Sequence, residues 1–231
     1  MGGSLPKQFL PLKGQPIALY SLKVFLDIEE IEEIVVVCAP QYRSFFHGFP
    51  VKFAPPGIRR QDSVYNGLQE VDPHADWVCV HDAARPFITL EMVQELVKEA
   101  SSINAIALAM PVKNTLKEVD DHKHVVETLD RSRIWEIQTP QLLKKEIIEA
   151  GFSHAHSHHL TVTDELSLVE LIGHPAKLVR SSYQNIKITT PEDLAFAEWI
   201  ALQRNIECAS PTMEPTTVAG KSSPMAFPSK A

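Results

Sequence analysis

The stretch Trp77-Val78-Cys79-Val80-His81-Asp82-Ala83-Ala84-Arg85-Pro86-Phe87 decides the fold predicted for this chain. Its first four residues are apolar without polar alternation, which predicts a strand covered on both sheet faces. A polar turn follows directly, and open α/β sheets bind ligands beyond the carboxyl ends of their strands. Asp82 is therefore a candidate ligand for a hard divalent cation, and Arg85 a candidate phosphate contact. The alternative is an ordinary surface ion pair between these two side chains.

The composition is that of a globular protein with one core. The chain has 231 residues, of which 44% are hydrophobic and 22% charged, and its net charge is -7 without a long basic run. This balance argues against nucleic-acid or membrane-surface binding, and no apolar run reaches membrane-spanning length. Three scattered cysteines do not form a disulfide framework, which favours a reducing compartment. We therefore expect a cytoplasmic protein, or a plastid stromal one if the source is a plant and the N-terminus is incomplete.

Apolar runs and helical periodicities alternate on both sides of this stretch, which predicts an α/β fold. The chain lacks internal repeats, and its predicted elements can be given as ranges. We expect strands at 34–37, 51–53, 77–80, 105–110, 176–179 and 185–189, and helices at 17–25, 42–47, 64–71, 89–101, 144–150, 164–172 and 190–204. Asp62 or Ser63, Thr89, Thr163 or Asp164, and Thr190 are the predicted N-cap residues.

Two segments depart from this rhythm. Residues 112–138 alternate polar and apolar side chains on both sides of Asp120-Asp121, which predicts a β-hairpin that projects as an arm and mediates dimer contacts. Residues 206–231 are rich in Pro, Ser and Thr and predict a disordered tail. We therefore divide the chain into a domain at 1–205, with the arm at about 112–138, and a tail at 206–231.

Three further polar stretches are candidate sites. Gly2, Gly3 and Lys7 precede the first helix and could approach an anion, although an isolated lysine is more often a solvated surface residue. The stretch from Gly57 to Ser63 precedes a helix and is either an anion site or a simple cap. Four histidines lie at 154–159 in a predicted loop, but without acidic or cysteine partners at ligand spacing we expect a solvated loop rather than a metal site.

Six motifs in the same order resemble those of 2-C-methyl-D-erythritol 4-phosphate cytidylyltransferases of the non-mevalonate isoprenoid pathway. The likeness runs from about residue 2 to about residue 204, and each motif alone is weak, whereas their order and spacing are specific. The motifs are Pro6-Lys7-Gln8-Phe9-Leu10-Pro11-Leu12, Arg60 to Leu68, Val80 to Pro86, Asp130-Arg131 with Thr139-Pro140-Gln141, Thr163-Asp164-Glu165, and Asn185 to Thr189 with Pro191-Glu192-Asp193.

The resemblance implies a nucleotidyltransferase-like (Rossmann-like) three-layer α/β sandwich with a projecting β-arm, a homodimer, and a reaction. CTP and a sugar-alcohol phosphate would give a CDP-alcohol and pyrophosphate, with Mg²⁺ as cofactor. Positions matching the family's motifs then take roles. Lys7 and Lys187 would be catalytic; Gly2, Gly3, Lys7, Gly57, Ser63 and Asp82 would bind CTP; Asp82 would hold the metal; and Arg85, Thr115, Arg131, Thr139, Thr163 and Lys187 would bind the acceptor, some of them across the dimer.

One departure from the family is expected to matter. The family opens with a buried strand and a glycine-rich loop containing an arginine, whereas this chain begins at Met1-Gly2-Gly3, the last residues of that loop. A missing central strand would leave unpaired backbone groups and an open slot in the core. Because the remaining site residues all persist, we expect Met1 to be an internal methionine rather than the start of a truncated, poorly active form.

Two rival interpretations remain open, and a third is disfavoured. The acceptor could be ribitol 5-phosphate, whose cytidylyltransferase shares most of these motifs. The chain could also be a catalytically inactive dimeric nucleotide-binding protein. A glycosyltransferase would need an Asp-x-Asp-like motif after a strand, and Asp120-Asp121 lies in a predicted hairpin turn instead.

Overall fold

A computed structural model describes residues 5–206 of the chain. The strands are β1 (Pro11–Leu12), β2 (Gln15–Pro16), β3 (Val35–Val37), β4 (Lys52–Ala54), β5 (Trp77–Val80), β6 (Ala105–Pro111), β7 (Lys117–Val119), β8 (Val125–Thr128), β9 (Trp135–Lys144) and β10 (Lys177–Arg180). The helices are α1 (Ala18–Leu26), α2 (Arg60–Leu68), α3 (Leu90–Glu99), α4 (Lys145–Ser157), α5 (Glu165–Leu171) and α6 (Pro191–Gln203), with 3-10 turns at Lys7–Phe9, Pro40–Phe46 and Arg131–Arg133.

The central sheet confirms the predicted three-layer α/β architecture. Its four strands lie in the order β10-β6-β9-β5; β10 is parallel to β6, and β9 is antiparallel to both β6 and β5. Alternate residues of β6 face opposite sides of the sheet. Ala105 and Ala107 pack in a core cluster with α4 and α5, whereas Ile106 and Leu108 pack in another with α3 and the end of α1. Helices therefore cover both faces of this sheet.

Two apolar strands, β3 and β5, lie at sheet edges and pair with another strand on one side only within the described residues. Within residues 5–206, β3 pairs only with β4, in parallel, and β5 pairs only with β9. Every residue of β3 and β5 is only partly buried although both strands are apolar. Each of these strands therefore presents one edge without a strand partner among the described residues.

The predicted arm is a two-stranded antiparallel hairpin of β7 and β8. Asp120 closes its turn, because the carboxylate accepts hydrogen bonds from the backbone N–H groups of His122 and His124. All residues of both strands are exposed. No helix within residues 5–206 is both long and apolar enough to cross a bilayer.

Two predicted elements are wrong. Residues 152–159 are not a loop, because α4 continues to Ser157 and buries Phe152 and Ala155 in the core. Gly151 does not break this helix; a Cβ there would collide with Leu168 of α5, so glycine permits close packing of the two helices. Residues 185–189 are not a strand. Their backbone instead docks on the turn after β5, where Ile188 donates its N–H to the carbonyl of Ala84.

Candidate functional site

A pocket of about 270 Å³ opens beyond the carboxyl end of β5. This is the position at which an open α/β sheet presents its ligands. Five of its lining residues carry formal charge, and they come from separate parts of the chain. The lining residues are Arg60, Asp82, Arg85, Ile137, Gln138, Thr139, Gln141, Thr163, Asp164 and Lys187.

The turn after β5 is held rigid by hydrogen bonds around His81. One ring nitrogen, Nε2, lies 3.1 Å from the carbonyl oxygen of Arg85, and the other, Nδ1, lies 3.2 Å from the hydroxyl of Thr139. A carbonyl can only accept, so Nε2 carries the proton and Nδ1 accepts from Thr139. The same hydroxyl accepts the backbone N–H of Asp82 at 3.0 Å. His81 and Thr139 thereby fix the backbone on both sides of Asp82.

Asp82 lies at the centre of three cations. Its carboxylate contacts Nζ of Lys187 at 2.9 Å, Nε of Arg60 at 3.1 Å and Nε of Arg85 at 3.6 Å. Burial alone would raise the pKa of Asp82, but Arg60 and Lys187 outweigh it and hold that pKa well below its usual value. Asp82 is therefore ionised at any physiological pH and keeps Lys187 aimed at the pocket.

Arg60, at the first turn of α2, bridges two carboxylates. Its Nε donates to Asp82, while Nη1 and Nη2 donate to the two carboxylate oxygens of Glu165 at 2.6 and 3.0 Å. Glu165 is only 2% exposed. Burial tends to lower the pKa of Arg60, but Glu165 and Asp82 together raise it above its usual value. Bidentate contacts between a guanidinium and a carboxylate are stronger and more directional than single hydrogen bonds between neutral groups.

The two predicted catalytic lysines lie near each other. Lys7 is half-buried, and burial followed by repulsion from Lys187 lowers its pKa, against the attraction of Asp82 and Asp193. Within residues 5–206 no carboxylate lies within 4.0 Å of the Lys7 ammonium. Lys187 is anchored through its own segment, because the buried Asn185 donates to Gln138 and to the carbonyl of Thr139. One lysine is therefore ion-paired and the other has charge available for an anion.

Comparison with known proteins agrees with this geometry. The family profile described as "IspD: 2-C-methyl-D-erythritol 4-phosphate cytidylyltransferase" matches residues 1–203. The chain belongs to this family. The rice enzyme of that name, which is described as chloroplastic, is 49% identical to this chain, and the match covers 86% of this chain and 69% of the rice enzyme. The Chlamydia pneumoniae enzyme is 44% identical, and the match covers 85% of this chain and 90% of that enzyme.

Solved structures of cytidylyltransferases show the same fold. The 4-diphosphocytidyl-2C-methyl-D-erythritol synthase of Anaerococcus prevotii superposes with a TM-score of 0.81 at 29% identity, covering 88% of this chain and 92% of that one. The Francisella tularensis 2-C-methyl-D-erythritol 4-phosphate cytidylyltransferase gives a TM-score of 0.77 at 35% identity, covering 85% and 94%. The sequence resemblance is therefore confirmed at the level of family and fold, and the chain is a nucleotidyltransferase.

The residues predicted to bind substrates differ in where they lie relative to the pocket. Asp82, Arg85, Thr139, Thr163 and Lys187 all line the pocket. Thr115 and Arg131 are exposed residues near the arm and do not line it; Arg131 donates to the carbonyl of Lys113. Gly2 and Gly3 lie outside the described residues. The roles assigned to all of these positions remain predictions.

Gly57 and Ser63 lie together where α2 begins. The N–H of Gly57 donates to Oγ of Ser63 at 2.9 Å. Neither Asp62 nor Ser63 is the N-cap, which is Arg59; Asp62 is instead at the third helical position, and its carboxylate accepts the N–H of Arg59. The predicted cap was wrong by three or four residues because a capping box places its acid inside the first turn. Ser63 therefore shapes the loop through its hydroxyl.

Arg60 and Glu165 were not predicted as site residues. The sequence did contain a signal for each, because the pair Arg59-Arg60 stands at the start of α2 and Thr163-Asp164 leads into Glu165, the first residue of α5. Asp164, one of the two predicted candidates, is the N-cap of α5 and accepts the N–H of Ser167. Periodicity alone could not show that Glu165, the next residue, points inward to meet Arg60 across a separation of 105 residues.

The four histidines at 154–159 do not converge on a metal site. His154 and His158 stack with their ring centroids 4.2 Å apart, and His156 packs edge-on against Tyr65. Within residues 5–206, no group of three or more His, Cys, Asp or Glu side chains could hold a metal ion.

His81 makes folding stability depend on pH. Burial lowers its pKa from the ordinary 6.5 to about 4. Below pH 6.5 His81 binds a proton in the unfolded chain but stays neutral in the folded chain. Its contribution to the free energy of unfolding is therefore complete above pH 6.5 and falls as the pH decreases toward 4. One pKa unit corresponds to about 1.4 kcal/mol, so the loss from this group reaches about 3 kcal/mol.

We expect His81→Asn to be less stable than the wild type at pH 7 but to lose about 2 to 3 kcal/mol less between pH 7 and pH 4.5. Urea unfolding at both pH values measures this, with the exposed His47→Asn as control. An acid loss in His81→Asn equal to that of the wild type would show that His81 is not held neutral.

Proposed function

We propose that the chain joins CTP and 2-C-methyl-D-erythritol 4-phosphate to give 4-diphosphocytidyl-2-C-methyl-D-erythritol and pyrophosphate, a reaction consistent with the names of its relatives. The observation that carries the proposal is the concentration of cations at one pocket of an otherwise acidic chain. Arg60, Arg85 and Lys187 contact one carboxylate, and Lys7 lies close to them. Phosphoryl-type transfer depends on positioning and on neutralising the charge of the phosphates, which is what such a cluster provides.

The proposed step is an in-line displacement at the α-phosphorus of CTP. A phosphate oxygen of the acceptor forms a bond to that phosphorus while the bond to the β-phosphate oxygen breaks, and pyrophosphate leaves with the electron pair. Lys7 and Lys187 stabilise the negative charge that develops on the oxygens around the α-phosphorus. Arg85, Thr139 and Thr163 line the space where the acceptor's polar groups would be held.

Mg²⁺ is proposed as the cofactor. Asp82 supplies the carboxylate oxygens that Mg²⁺ prefers, and Mg²⁺ is commonly bound by one or two carboxylates together with substrate phosphates. The carboxylate of Asp164 caps α5, which leaves Asp82 to contact the ion. A single protein carboxylate is suited to an ion that is held mainly by the nucleotide. When bound, the ion would neutralise charge on the triphosphate, while the chain's lysines act on the same phosphates independently.

Pyrophosphate release tests the function. CTP and Mg²⁺ are supplied with methylerythritol phosphate and, separately, with ribitol 5-phosphate. The assay uses both this chain and a form extended at its N-terminus by a strand and a glycine-rich loop taken from a relative. We expect release with methylerythritol phosphate. Pyrophosphate release only with ribitol 5-phosphate would identify that compound as the acceptor. If neither form releases pyrophosphate with either acceptor, an inactive nucleotide-binding protein is favoured.

A homodimer formed through the arm is also proposed. An isolated two-stranded hairpin is marginally stable in water, and this arm exposes Val119, Val125 and Val126 by 49%, 60% and 61%. A second copy would cover that apolar surface. We expect Val126→Asp to convert the dimer to a monomer in light scattering after size-exclusion chromatography. Leu202→Asp, on exposed α6, is the control and should leave the dimer intact. Dissociation by Leu202→Asp alone would move the interface to α6.

We propose a cytoplasmic or plastid stromal location. Relatives come from bacteria such as Chlamydia pneumoniae, and the rice relative is described as chloroplastic. Fractionation of source cells, with detection of the native protein by antibody, tests this. Recovery in a membrane fraction would contradict it.

A further inference from the structure

Glu165 is a buried carboxylate to which neither the proposed mechanism nor the motifs assign a role. It begins α5 and is 2% exposed, although acidic side chains are rarely buried without a specific partner. Its two oxygens accept from Nη1 and Nη2 of Arg60 at 2.6 and 3.0 Å. Both oxygens are therefore used to hold one guanidinium.

The remaining edge of that guanidinium points at the centre of the site. Nε of Arg60 donates to Oδ1 of Asp82 at 3.1 Å, while Oδ2 of Asp82 contacts Nζ of Lys187 at 2.9 Å. The chain of contacts thus runs from Glu165 through Arg60 and Asp82 to Lys187. Since guanidinium is planar and its donors are fixed, binding one edge determines the direction of the other.

Resting on the proposed function, we infer that Glu165 is a positioning residue for the transfer reaction. It orients Arg60, which holds Asp82 in the rotamer that aims Lys187 at the pocket. The negative charge of Glu165 also offsets the positive charge of Arg60. Arg60 therefore does not weaken the electrostatic attraction between Asp82 and Lys187. Glu165 itself touches no substrate in this scheme, and its effect reaches the reaction through two other side chains.

Two variants separate positioning from mere structural support. Arg60→Gln leaves Glu165 buried without its cation and is expected to lower the melting temperature and kcat together. The double variant Arg60→Gln/Glu165→Gln removes the unpaired charge and is expected to regain most of the melting temperature. Its kcat for pyrophosphate release should stay at least tenfold below wild type while KM for CTP changes less than threefold. The exposed Glu170→Gln, on the same helix, is the control.

The outcomes are decisive in either direction. Recovery of kcat in step with stability in the double variant would overturn the inference, as would a normal kcat in Glu165→Gln alone. If the wild type releases no pyrophosphate, the proposed function fails, and the coupling between Asp82 and Lys187 is measured by a double-mutant cycle in urea unfolding instead. We then expect that coupling to fall by at least half in the double-variant background, and an unchanged coupling would overturn the inference on its own.

Discussion

Lys7→Ala is expected to lower kcat for pyrophosphate release by about 10²- to 10³-fold, or about 3 to 4 kcal/mol, on the scale of one lost electrostatic donor at a reacting oxygen. The same change should alter the free energy of unfolding little. Within residues 5–206 Lys7 makes no ion pair, and burial followed by repulsion from Lys187 already disfavours its charge. Kinetics on the active form and urea unfolding measure the two effects separately.

Lys98→Ala provides the matched control, because Lys98 is an exposed helical lysine on α3 with a side chain 74% accessible. It should leave both turnover and stability unchanged. Lys187→Ala is a useful contrast, since it should reduce kcat to a similar extent but also remove a partner of Asp82. Near-normal turnover of Lys7→Ala would exclude Lys7 from the reaction.

The layers of the fold were predictable because they depend on local patterns. The apolar run at 105–110 became the wholly buried centre of the sheet, and Thr190-Pro191 with Asp193 became a capping box. Failures occurred where tertiary contacts outweighed local signals. The predicted helix ended just before Gly151, yet contact with Leu168 makes glycine necessary within the longer helix. Asn185 was predicted to lie in a strand, yet its buried side chain donates to Gln138 and its segment does not pair as a strand.

The site was predictable only in part, for a related reason. Motif matching selected Asp82, Arg85 and Lys187, which the fold brings together at one pocket. It could not show that Arg60 and Glu165 form the second half of the cluster, because their pairing joins α2 to α5. Nor could it show that the hydroxyl of Thr139 contacts His81 and accepts the backbone N–H of Asp82. Such roles depend on which side chains meet.

Asp82→Asn is expected to reduce both activity and stability, because asparagine keeps the shape of the side chain but not its charge. Asp82 is 13% exposed, and removing its charge leaves Arg60, Arg85 and Lys187 in mutual repulsion. Breaking a buried ion pair costs about 3 to 5 kcal/mol. Since the side chains of Arg60 and Lys187 are about one-third exposed, we expect about 2 to 4 kcal/mol here.

The pH dependence of this loss identifies its origin. The pKa of folded Asp82 lies below that of the unfolded chain, so its contribution is complete at neutral pH and is lost as the pH falls below about 4. The difference in unfolding free energy between wild type and Asp82→Asn should therefore be largest at pH 7 and smaller at pH 3. The exposed Asp76→Asn is the control and should show little difference at either pH. A difference that stayed constant with pH would mean that packing around Asp82, and not its charge, stabilises the turn after β5.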